Sequence, residues 1–377
     1  MFQQSRCPKF SSQVRFFSPE IPHPIQICPS LPHHCHQTSH SNTTAGGSGF
    51  IAAHVLDILL QHGHSVITTV RSEEKAQKIR DAHPQTPASK LDFRIVPDIA
   101  QEGAFDEAVK IPDLAAVIHT ASPFHFNVTD TKKDLLDPAI IGTTGVLKAI
   151  KKNAPSVKKV VITSSFAAIV DGGKGHAVGH TYSEKDWNPV TLEQALLNPA
   201  NGYRASKTFA EKAAWEFVEK EKPNFTLAVM NPPLVLGPIV HYLNSLDALN
   251  TSNERIRNLI TGKFKQEIPD TGVYIWIDVG DLALAHVKAI ELDEAAGKRF
   301  FITAGYFSNR ELADIIRKNF PEYEKELPGK DVKGGDYPEG GIYKFDNSRT
   351  TGVLGIKFRG LEESVVDTVK SLKAVGA

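Results

Sequence analysis

Tyr203 and Lys207 are the residues of this chain whose types and spacing point most directly to chemistry. Residues four apart on a helix lie on the same face, so a helix here would place the phenol beside the ammonium group. A neighbouring positive charge stabilises the phenolate, which predicts a pKa for Tyr203 below the usual value of about 10. Such a tyrosine can donate a proton near neutral pH, as the reduction of a carbonyl group requires. Because the pattern is short, a surface helix could also carry this pair by chance.

Two serines could supply a hydrogen bond to a carbonyl oxygen at the same site. The apolar segment Lys159–Thr163 is typical of a buried strand, and Ser164 and Ser165 follow it directly. Open α/β sheets bind ligands at the carboxyl ends of their strands. We therefore predict that one of the two hydroxyl groups faces the site, although serines at strand ends are common.

A glycine-rich turn near residue 46 indicates a dinucleotide site. Gly46, Gly49 and Ala52 fit the pattern G-x-x-G-x-x-G/A, in which glycines permit a tight turn and the close approach of a pyrophosphate. Apolar residues at helical spacing follow, so we expect a helix after the turn.

The segment before this turn lacks the apolar run of a buried first strand. Residues 36–43 read His-Gln-Thr-Ser-His-Ser-Asn-Thr. Three explanations are open: a poor strand is tolerated, another segment such as Pro24–Cys28 fills the position, or the rest of the chain evolved with a different N-terminus. We favour the third, because the mismatch ends abruptly at the glycines.

Residues 1–42 differ in composition from the rest of the chain, being rich in Pro, Ser, Gln and His. We interpret them as a disordered extension. A zinc site made of the cysteines and histidines of residues 28–40 lacks a familiar ligand spacing, and a transit peptide lacks an amphipathic pattern. All three cysteines lie in this extension, so a disulfide-stapled fold is not expected.

Composition argues against several classes of function. The 43 basic residues balance 43 acidic residues, and no basic stripe suggests contact with nucleic acid. The apolar runs are far shorter than the ~20 residues of a membrane span. We predict a cytoplasmic protein with no metal site, no nucleic-acid partner and no membrane segment.

Arg71 indicates which nicotinamide cofactor the site prefers. It ends the apolar strand that begins at Ser65, where NAD enzymes usually carry an acidic residue for the ribose 2′-hydroxyl group. Lys75 follows one helical turn later, and two cations suit the 2′-phosphate of NADPH. An arginine in solvent at the start of a helix is the alternative.

Strand and helix patterns alternate through the first half of the chain, which predicts an α/β fold with a doubly wound parallel sheet of the Rossmann type. We place this NADPH-binding domain at residues 43–238. The alternation stops after Pro238, so residues 239–377 are expected to form mainly a smaller substrate lobe, with some elements that return to the first domain.

Longer motifs give the chain a specific resemblance. It resembles the extended short-chain dehydrogenase/reductases, in particular the dihydroflavonol-reductase-like branch and, within it, the fungal NADPH-dependent methylglyoxal/isovaleraldehyde reductases. The resemblance extends from about residue 45 to the end. The motifs that carry it are Gly49-Phe-Ile-Ala52, Val70-Arg-Ser-x-Glu-Lys75, Val96-Pro-Asp-Ile99, His119-Thr-Ala-Ser-Pro-Phe124, Phe209-Ala-Glu-Lys-Ala-Ala-Trp-Glu-Phe217, Asn231-Pro-Pro-Leu-Val-Leu-Gly-Pro238 and Leu249-Asn-Thr-Ser252.

This resemblance implies reduction of an aldehyde or ketone with hydride from NADPH, a proton from Tyr203 and a hydrogen bond from Ser165. It also implies that Lys207 completes the catalytic triad. The implied cofactor contacts are Gly46, Gly47, Ser48, Gly49, Phe50, Ile51, Arg71, Lys75, Asp98, Ile99, Tyr203, Lys207, Val235 and Ser252. The chain departs from the family pattern at Ala45, where Thr or Ser is usual, and in the unrecognisable first strand.

Three apolar residues beside the motifs are candidates for the wall of the substrate pocket: Phe124, Phe166 and Leu234. Two other functions stay open. One is an NAD-dependent sugar-nucleotide epimerase or dehydratase, since the fold is shared. The other is a non-catalytic dinucleotide-binding protein, which the poor first strand suggests. The sequence does not indicate the oligomeric state.

Overall fold

A seven-stranded parallel sheet forms the centre of the protein. The computed structural model describes residues 49–121, 128–240 and 249–376, together with the backbone of residues 41–45. The strands are β1 (Ser41–Ala45), β2 (Ser65–Val70), β3 (Leu91–Ile95), β4 (Leu114–His119), β5 (Lys159–Thr163), β6 (Thr181–Tyr182), β7 (Thr226–Asn231), β8 (Leu234–Leu236), β9 (Ile275–Asp278), β10 (Lys298–Phe301), β11 (Gly305–Tyr306) and β12 (Lys344–Phe345). In the main sheet their order is β10-β7-β5-β4-β1-β2-β3. The predicted doubly wound α/β class is therefore confirmed.

Helices cover both faces of this sheet, as all-parallel sheets require. They are α1 (Phe50–Gln61), α2 (Glu73–Ala82), α3 (Asp137–Asn153), α4 (Leu192–Ala195), α5 (Pro199–Glu221), α6 (Glu254–Ile260), α7 (Val279–Glu291), α8 (Asn309–Asn319) and α9 (Leu361–Ala374). Helices α1 and α7 pack in one apolar core, around Leu56 and Leu282, while α3 and α5 pack in the other, around Leu147 and Ala214.

The polar segment Ser41–Ala45 forms the central strand of the sheet. It pairs in parallel with β2 on one side and with β4 on the other. This corrects the predicted limit of the extension, because Ser41 and Asn42 belong to the sheet. A parallel ladder bonds through backbone groups, so two regular neighbouring strands can hold a segment whose side chains predict no strand. The alternative segment Pro24–Cys28 and the proposed zinc ligands lie outside the described residues.

Elements from the second half of the chain lie in two parts of the fold. Helices α6, α8 and α9 pack together through residues such as Leu259, Leu312 and Val369, beside the small sheet β11-β9-β8. Strand β10 and helix α7 instead belong to the main sheet and its covering layer. The division at residue 238 into a cofactor domain and a substrate lobe stays a prediction.

A local hydrogen-bond pattern sets the start of helix α8. Ser308 and Glu311 form a capping box: the Ser308 hydroxyl accepts from the Glu311 N–H at 3.1 Å, and the Glu311 carboxylate accepts from the Ser308 N–H at 2.7 Å. These bonds satisfy amide groups that the first turn of α8 would otherwise leave unpaired.

Candidate active site

Helix α5 carries the predicted Tyr203–Lys207 pair. It begins at Pro199, and the Asn198 side chain caps it by accepting from the N–H of Asn201 at 2.9 Å. Proline suits this first position because its missing N–H would have had no partner inside the helix. Tyr203 and Lys207 then lie one turn apart, and each side chain is only partly buried.

Ser165 lies beside the phenol of Tyr203, at the point where β5 ends. Its hydroxyl oxygen accepts from the N–H of Ala167 at 3.1 Å, and the same hydroxyl group is hydrogen-bonded to Tyr203. Because the Ser165 oxygen accepts the Ala167 N–H, the proton of the Ser165 hydroxyl group points away from Ala167. The strand end and the helix thus bring Ser165 and Tyr203 together, although they are distant in sequence.

Lys207 completes the group. Its ammonium nitrogen lies 5.9 Å from the centre of the Tyr203 ring. Burial lowers the pKa of Lys207 to about 8, because a charged ammonium group loses hydration there. The side chain is thus positively charged at neutral pH and loses that charge in mildly alkaline solution.

The pKa of Tyr203 differs from the prediction. Burial raises it above the ordinary value, and the hydrogen bond with Ser165 opposes that change only in part. The predicted lowering by Lys207 is therefore wrong for this structure. Spacing along a helix indicates which charges are near, but it does not indicate how much water the folded chain removes from the phenol. Tyr203 consequently keeps its proton at neutral pH, which is the form that a proton donor needs.

The neighbouring Ser164 faces a different environment. It is buried, and its hydroxyl donates to the carboxylate of Glu211 at 2.6 Å. Of the two serines after β5, Ser165 is thus the one bonded to Tyr203. The position after the strand left this choice open, because successive residues at a strand end point to opposite sides, and only the family resemblance implied Ser165.

Arg71 and Asp98 lie near each other at the ends of β2 and β3. Asp98 accepts from the Gln101 amide at 2.8 Å and from the Ala100 N–H at 2.9 Å. These two bonds lower the pKa of the Asp98 carboxyl group, and the positive charge of Arg71 makes a smaller contribution in the same direction. Both side chains are exposed, so they can be reached by a ligand from solvent.

The two predicted phosphate-binding cations are not neutralised by the helix that follows them. Helix α2 begins after Ser72, whose hydroxyl accepts from the Lys75 N–H at 3.4 Å. Its acidic residues pair elsewhere, Glu73 with Arg80 and Glu74 with Lys78. Within the described residues, Arg71 and Lys75 form no salt bridge. Two cations outside the salt bridges of the described residues fit the 2′-phosphate of NADPH.

Val235 and Ser252, two further predicted cofactor contacts, are brought together by the fold. The backbone N–H of Val235 donates to the Ser252 hydroxyl at 3.2 Å, and the side-chain amide of Asn250 donates to the Val235 carbonyl at 3.1 Å. Ile99 packs against Gly142 of α3, where an added methyl group would be 3.5 Å from the Ile99 side chain.

The glycine turn is described only from Gly49 onward. Gly49 is exposed and precedes α1, its carbonyl accepting from the Ala53 N–H at 3.0 Å, and Phe50 and Ile51 form the first turn of that helix. Gly46, Gly47 and Ser48 lie outside the described residues, as does the predicted pocket residue Phe124.

The two other predicted pocket residues differ from each other. Leu234 is partly buried on β8 and packs on the core of the small lobe. Phe166 is only 3% exposed, stacks on Phe301 at 5.3 Å between ring centres, and contacts the rings of Tyr182 and Tyr343. We therefore assign Phe166 to the core rather than to a pocket wall, because its ring is enclosed by other aromatic rings.

Sequence reasoning missed Glu211 and Arg299, which meet under the site in a buried salt bridge of 2.5 Å. Glu211 lies four residues after Lys207, so helical spacing could have placed it on the catalytic face. Arg299 offered no such signal, because its neighbour in space is distant in the chain. Among the described residues, no helix combines the length and low polarity needed to cross a bilayer.

Comparison with known proteins defines the class to which this site belongs. Residues 44–302 match the NAD dependent epimerase/dehydratase family, and the chain belongs to that family. It is 48% identical to the ketoreductase azaE of Aspergillus niger over 329 residues, which cover 87% of this chain and 96% of that protein.

One further relative, a reductase of named carbonyl compounds, matches both by sequence and by its solved structure. The chain is 39% identical to the NADPH-dependent methylglyoxal reductase GRE2 of Saccharomyces cerevisiae, covering 87% of this chain and 96% of that protein. It also matches the crystal structure of yeast methylglyoxal/isovaleraldehyde reductase Gre2 complexed with NADPH, with a TM-score of 0.82 and 38% identity over 89% of this chain and 99% of that one. The predicted family resemblance is confirmed.

Proposed function

We propose that this protein is an NADPH-dependent reductase of aldehydes and ketones, similar in activity to the methylglyoxal reductases. The observation that carries the proposal is the Ser165–Tyr203 hydrogen bond at the partly exposed end of β5, with the Lys207 cation beside it. The names of its relatives support the same activity and cofactor.

NADPH supplies the hydride for the carbonyl carbon when it is bound. Tyr203 donates its proton to the carbonyl oxygen, and the Ser165 hydroxyl donates a hydrogen bond to that oxygen. Lys207 places a positive charge beside the phenolate that remains after the proton has left. Its burial strengthens that interaction, because charges attract more strongly where water is excluded.

Arg71 and Lys75 would hold the 2′-phosphate, since both are cations without salt-bridge partners among the described residues. Asp98 and Ile99, which follow β3, would contact the adenine portion, and Val235 and Ser252 would contact the cofactor elsewhere. The glycine turn from Gly46 to Ile51 would hold the pyrophosphate at the start of α1.

The test is an NADPH-oxidation screen over aldehydes, α-dicarbonyl compounds and ketones, with NADH in parallel and the Tyr203→Phe variant as control. We expect loss of NADPH absorbance only when both enzyme and a carbonyl compound are present. Tyr203→Phe should bind NADPH normally yet turn over ~10²-fold or more slowly, because it cannot donate the proton. Near-normal turnover by this variant rejects the assignment of Tyr203.

The same screen separates the alternatives. An epimerase or dehydratase would regenerate its bound NAD and show no net NADPH loss, while a non-catalytic protein would bind NADPH without consuming it. The intact Ser165, Tyr203 and Lys207 group opposes the second alternative.

Arg71 carries a second test of the proposal. Replacing it with Ala removes one of the two cations at the 2′-phosphate, so we expect the KM for NADPH to rise roughly tenfold or more. The KM for NADH should change little, because NADH has no 2′-phosphate. An equal change with both cofactors contradicts the proposed role.

The remaining parts of the proposal concern partners and location. We propose that the partner is a small carbonyl compound rather than nucleic acid, which the balanced charge of the chain supports. A cytoplasmic location is supported by the absence of cysteine from residues 36–377, since proteins of oxidising compartments often carry disulfides. Imaging of the tagged full chain tests the location.

A further inference from the structure

A buried network centred on Glu211 lies directly behind the proposed catalytic group. Glu211 follows Lys207 by four residues, on the same face of α5, and is 2% exposed. One carboxylate oxygen accepts from Arg299 at 2.5 Å, and the other accepts from Ser164 at 2.6 Å and from Asn231 at 2.7 Å. These three donors lie on β10, directly after β5, and at the end of β7. One side chain of α5 is thus bonded to residues in or directly after three neighbouring strands.

Two of the residues that donate to Glu211 are also connected to Ser165. Ser164 is its neighbour in the chain, and the Asn231 amide that donates to Glu211 also donates to the backbone carbonyl of Ser165 at 3.2 Å. A shift of Glu211 would therefore move Ser165 relative to α5, which carries Tyr203.

Arg299 is built into the same network. Its guanidinium group donates to the carbonyls of Glu184 and Asp186 at 2.7 Å each and lies 3.7 Å from the centre of the Trp187 ring. Both members of the Glu211–Arg299 pair are buried, with side-chain exposures of 0% and 8%. Buried ion pairs add little net stability over apolar packing, because removing two charges from water offsets their attraction. Stability alone thus gives a weak account of this arrangement.

We propose that Glu211 is a positioning residue, which fixes the separation between the Ser165 hydroxyl and the Tyr203 phenol. This inference rests on the proposed reductase function. Displacement of a reacting group by about 1 Å can lower a rate ~10²-fold, so a residue that fixes this separation affects turnover without touching the substrate.

The chain offers a matched pair of variants for the test. Ser164→Ala removes the 2.6 Å bond to Glu211, and Ser364→Ala removes a 2.6 Å bond from another buried serine to the buried carboxylate of Asp278. Asp278 is likewise paired with an arginine, Arg359. Each variant loses one hydroxyl group bonded to a buried, ion-paired carboxylate, and Ser364 lies on α9, in the last helix.

We expect kcat of Ser164→Ala to fall roughly tenfold, with NADPH affinity and carbonyl KM unchanged. Ser364→Ala should lower the melting temperature similarly and leave kcat unchanged. Equal kcat values for Ser164→Ala and the wild type overturn the proposal, as does an equal fall of kcat in both variants.

Glu211→Gln provides a stronger perturbation, and the double variant Glu211→Gln/Arg299→Met removes the unpaired charge that it leaves. We expect the double variant to recover melting temperature relative to Glu211→Gln but not kcat. Recovery of both assigns Glu211 to stability alone and overturns the proposal. If Glu211→Gln does not fold, the Ser164→Ala comparison decides the question.

Crystal structures of the wild type and Ser164→Ala provide a readout that is independent of turnover. We expect the separation of the Ser165 and Tyr203 oxygens to lengthen in the variant, and an unchanged separation rejects the positioning role. A wild-type protein without carbonyl-dependent NADPH oxidation would reject the proposed function, while this distance would still decide the positioning proposal.

Discussion

Two buried networks of similar chemistry occupy different regions of the molecule. Under the proposed catalytic group, Glu211 pairs with Arg299 and accepts from Ser164. In the C-terminal region, Asp278 pairs with Arg359 and accepts from Ser364. In both networks the carboxylate side chain is fully buried. The arginines differ, because the Arg299 side chain is 8% exposed whereas that of Arg359 is 23% exposed and also pairs with Glu363 and Asp367.

The difference lies in what each network holds together. The Glu211 network joins α5 to the strand ends that carry Ser165, whereas the Asp278 network joins α9 to the junction of β9 and α7. The same kinds of bond therefore hold proposed reacting groups in one region and the packing of the last helix in the other. Tests of the comparison should separate effects on stability from effects on rate.

The largest expected effect comes from removing each arginine. Arg299→Met leaves the Glu211 carboxylate buried without its cation, which we expect to cost ~3–5 kcal/mol of unfolding free energy. Arg359→Met should cost less, because the Arg359 side chain is 23% exposed against 8% for Arg299, so water reaches the Asp278 pair more easily. Urea denaturation at pH 7 measures both, and equal losses would show that the two networks are equivalent.

A smaller effect is expected at Asp281, which belongs only to the C-terminal network. Burial raises its pKa to about 7, and the charges of Asp278 and Glu363 add to that effect, while the Arg359 N–H and charge oppose it. The unfolded carboxyl group ionises near pH 4, so the wild type loses stability as pH rises from about 4 to 7. This loss is at most about 4 kcal/mol for three pH units, and Asp281→Asn should recover about half of it at pH 8, because burying the amide has its own desolvation cost.

Denaturation of Asp281→Asn at several pH values checks this prediction. Its advantage over the wild type should grow between pH 4 and 7 and then level off, with kcat unchanged. An advantage that is constant with pH contradicts the assigned cause.

The smallest expected effect is a pH dependence confined to the catalytic group. The pKa of Lys207 is about 8. Its charge is present below that pH and lost above it, so kcat/KM for carbonyl reduction should fall about tenfold per pH unit on the alkaline side. Lys207→Arg should move this decline to higher pH, since arginine stays charged. A decline at the same pH in the variant would assign it to another group.

Regular elements with clear apolar patterns were predictable from sequence. Strand β5 runs over Lys159–Thr163 as predicted, and α8 begins at the Ser308–Glu311 capping box. Both signals are local, because they depend on side-chain alternation or on bonds within one helical turn. Strand β1 was not predictable, because its position depends on pairing with β2 and β4, which are distant in the chain.

The features of the candidate site likewise divide into those that the sequence predicted and those that it did not. Helical spacing placed Tyr203 and Lys207 together, and the motifs indicated the family and the cofactor. The enclosed position of Phe166 and the raised pKa of Tyr203 both depend on how neighbouring elements exclude water, and no spacing rule contains that information.

By itself, the sequence determined the doubly wound class, the order of the motifs and the helix that carries the proposed proton donor, because each depends on periodicity or short-range spacing. Only the tertiary structure decided that Ser165, which the family resemblance implied, is bonded to Tyr203, while Ser164 is bonded to the carboxylate of Glu211. Those choices depend on the side of the strand end to which each side chain points, and on the approach of Arg299 from a strand about ninety residues after Glu211.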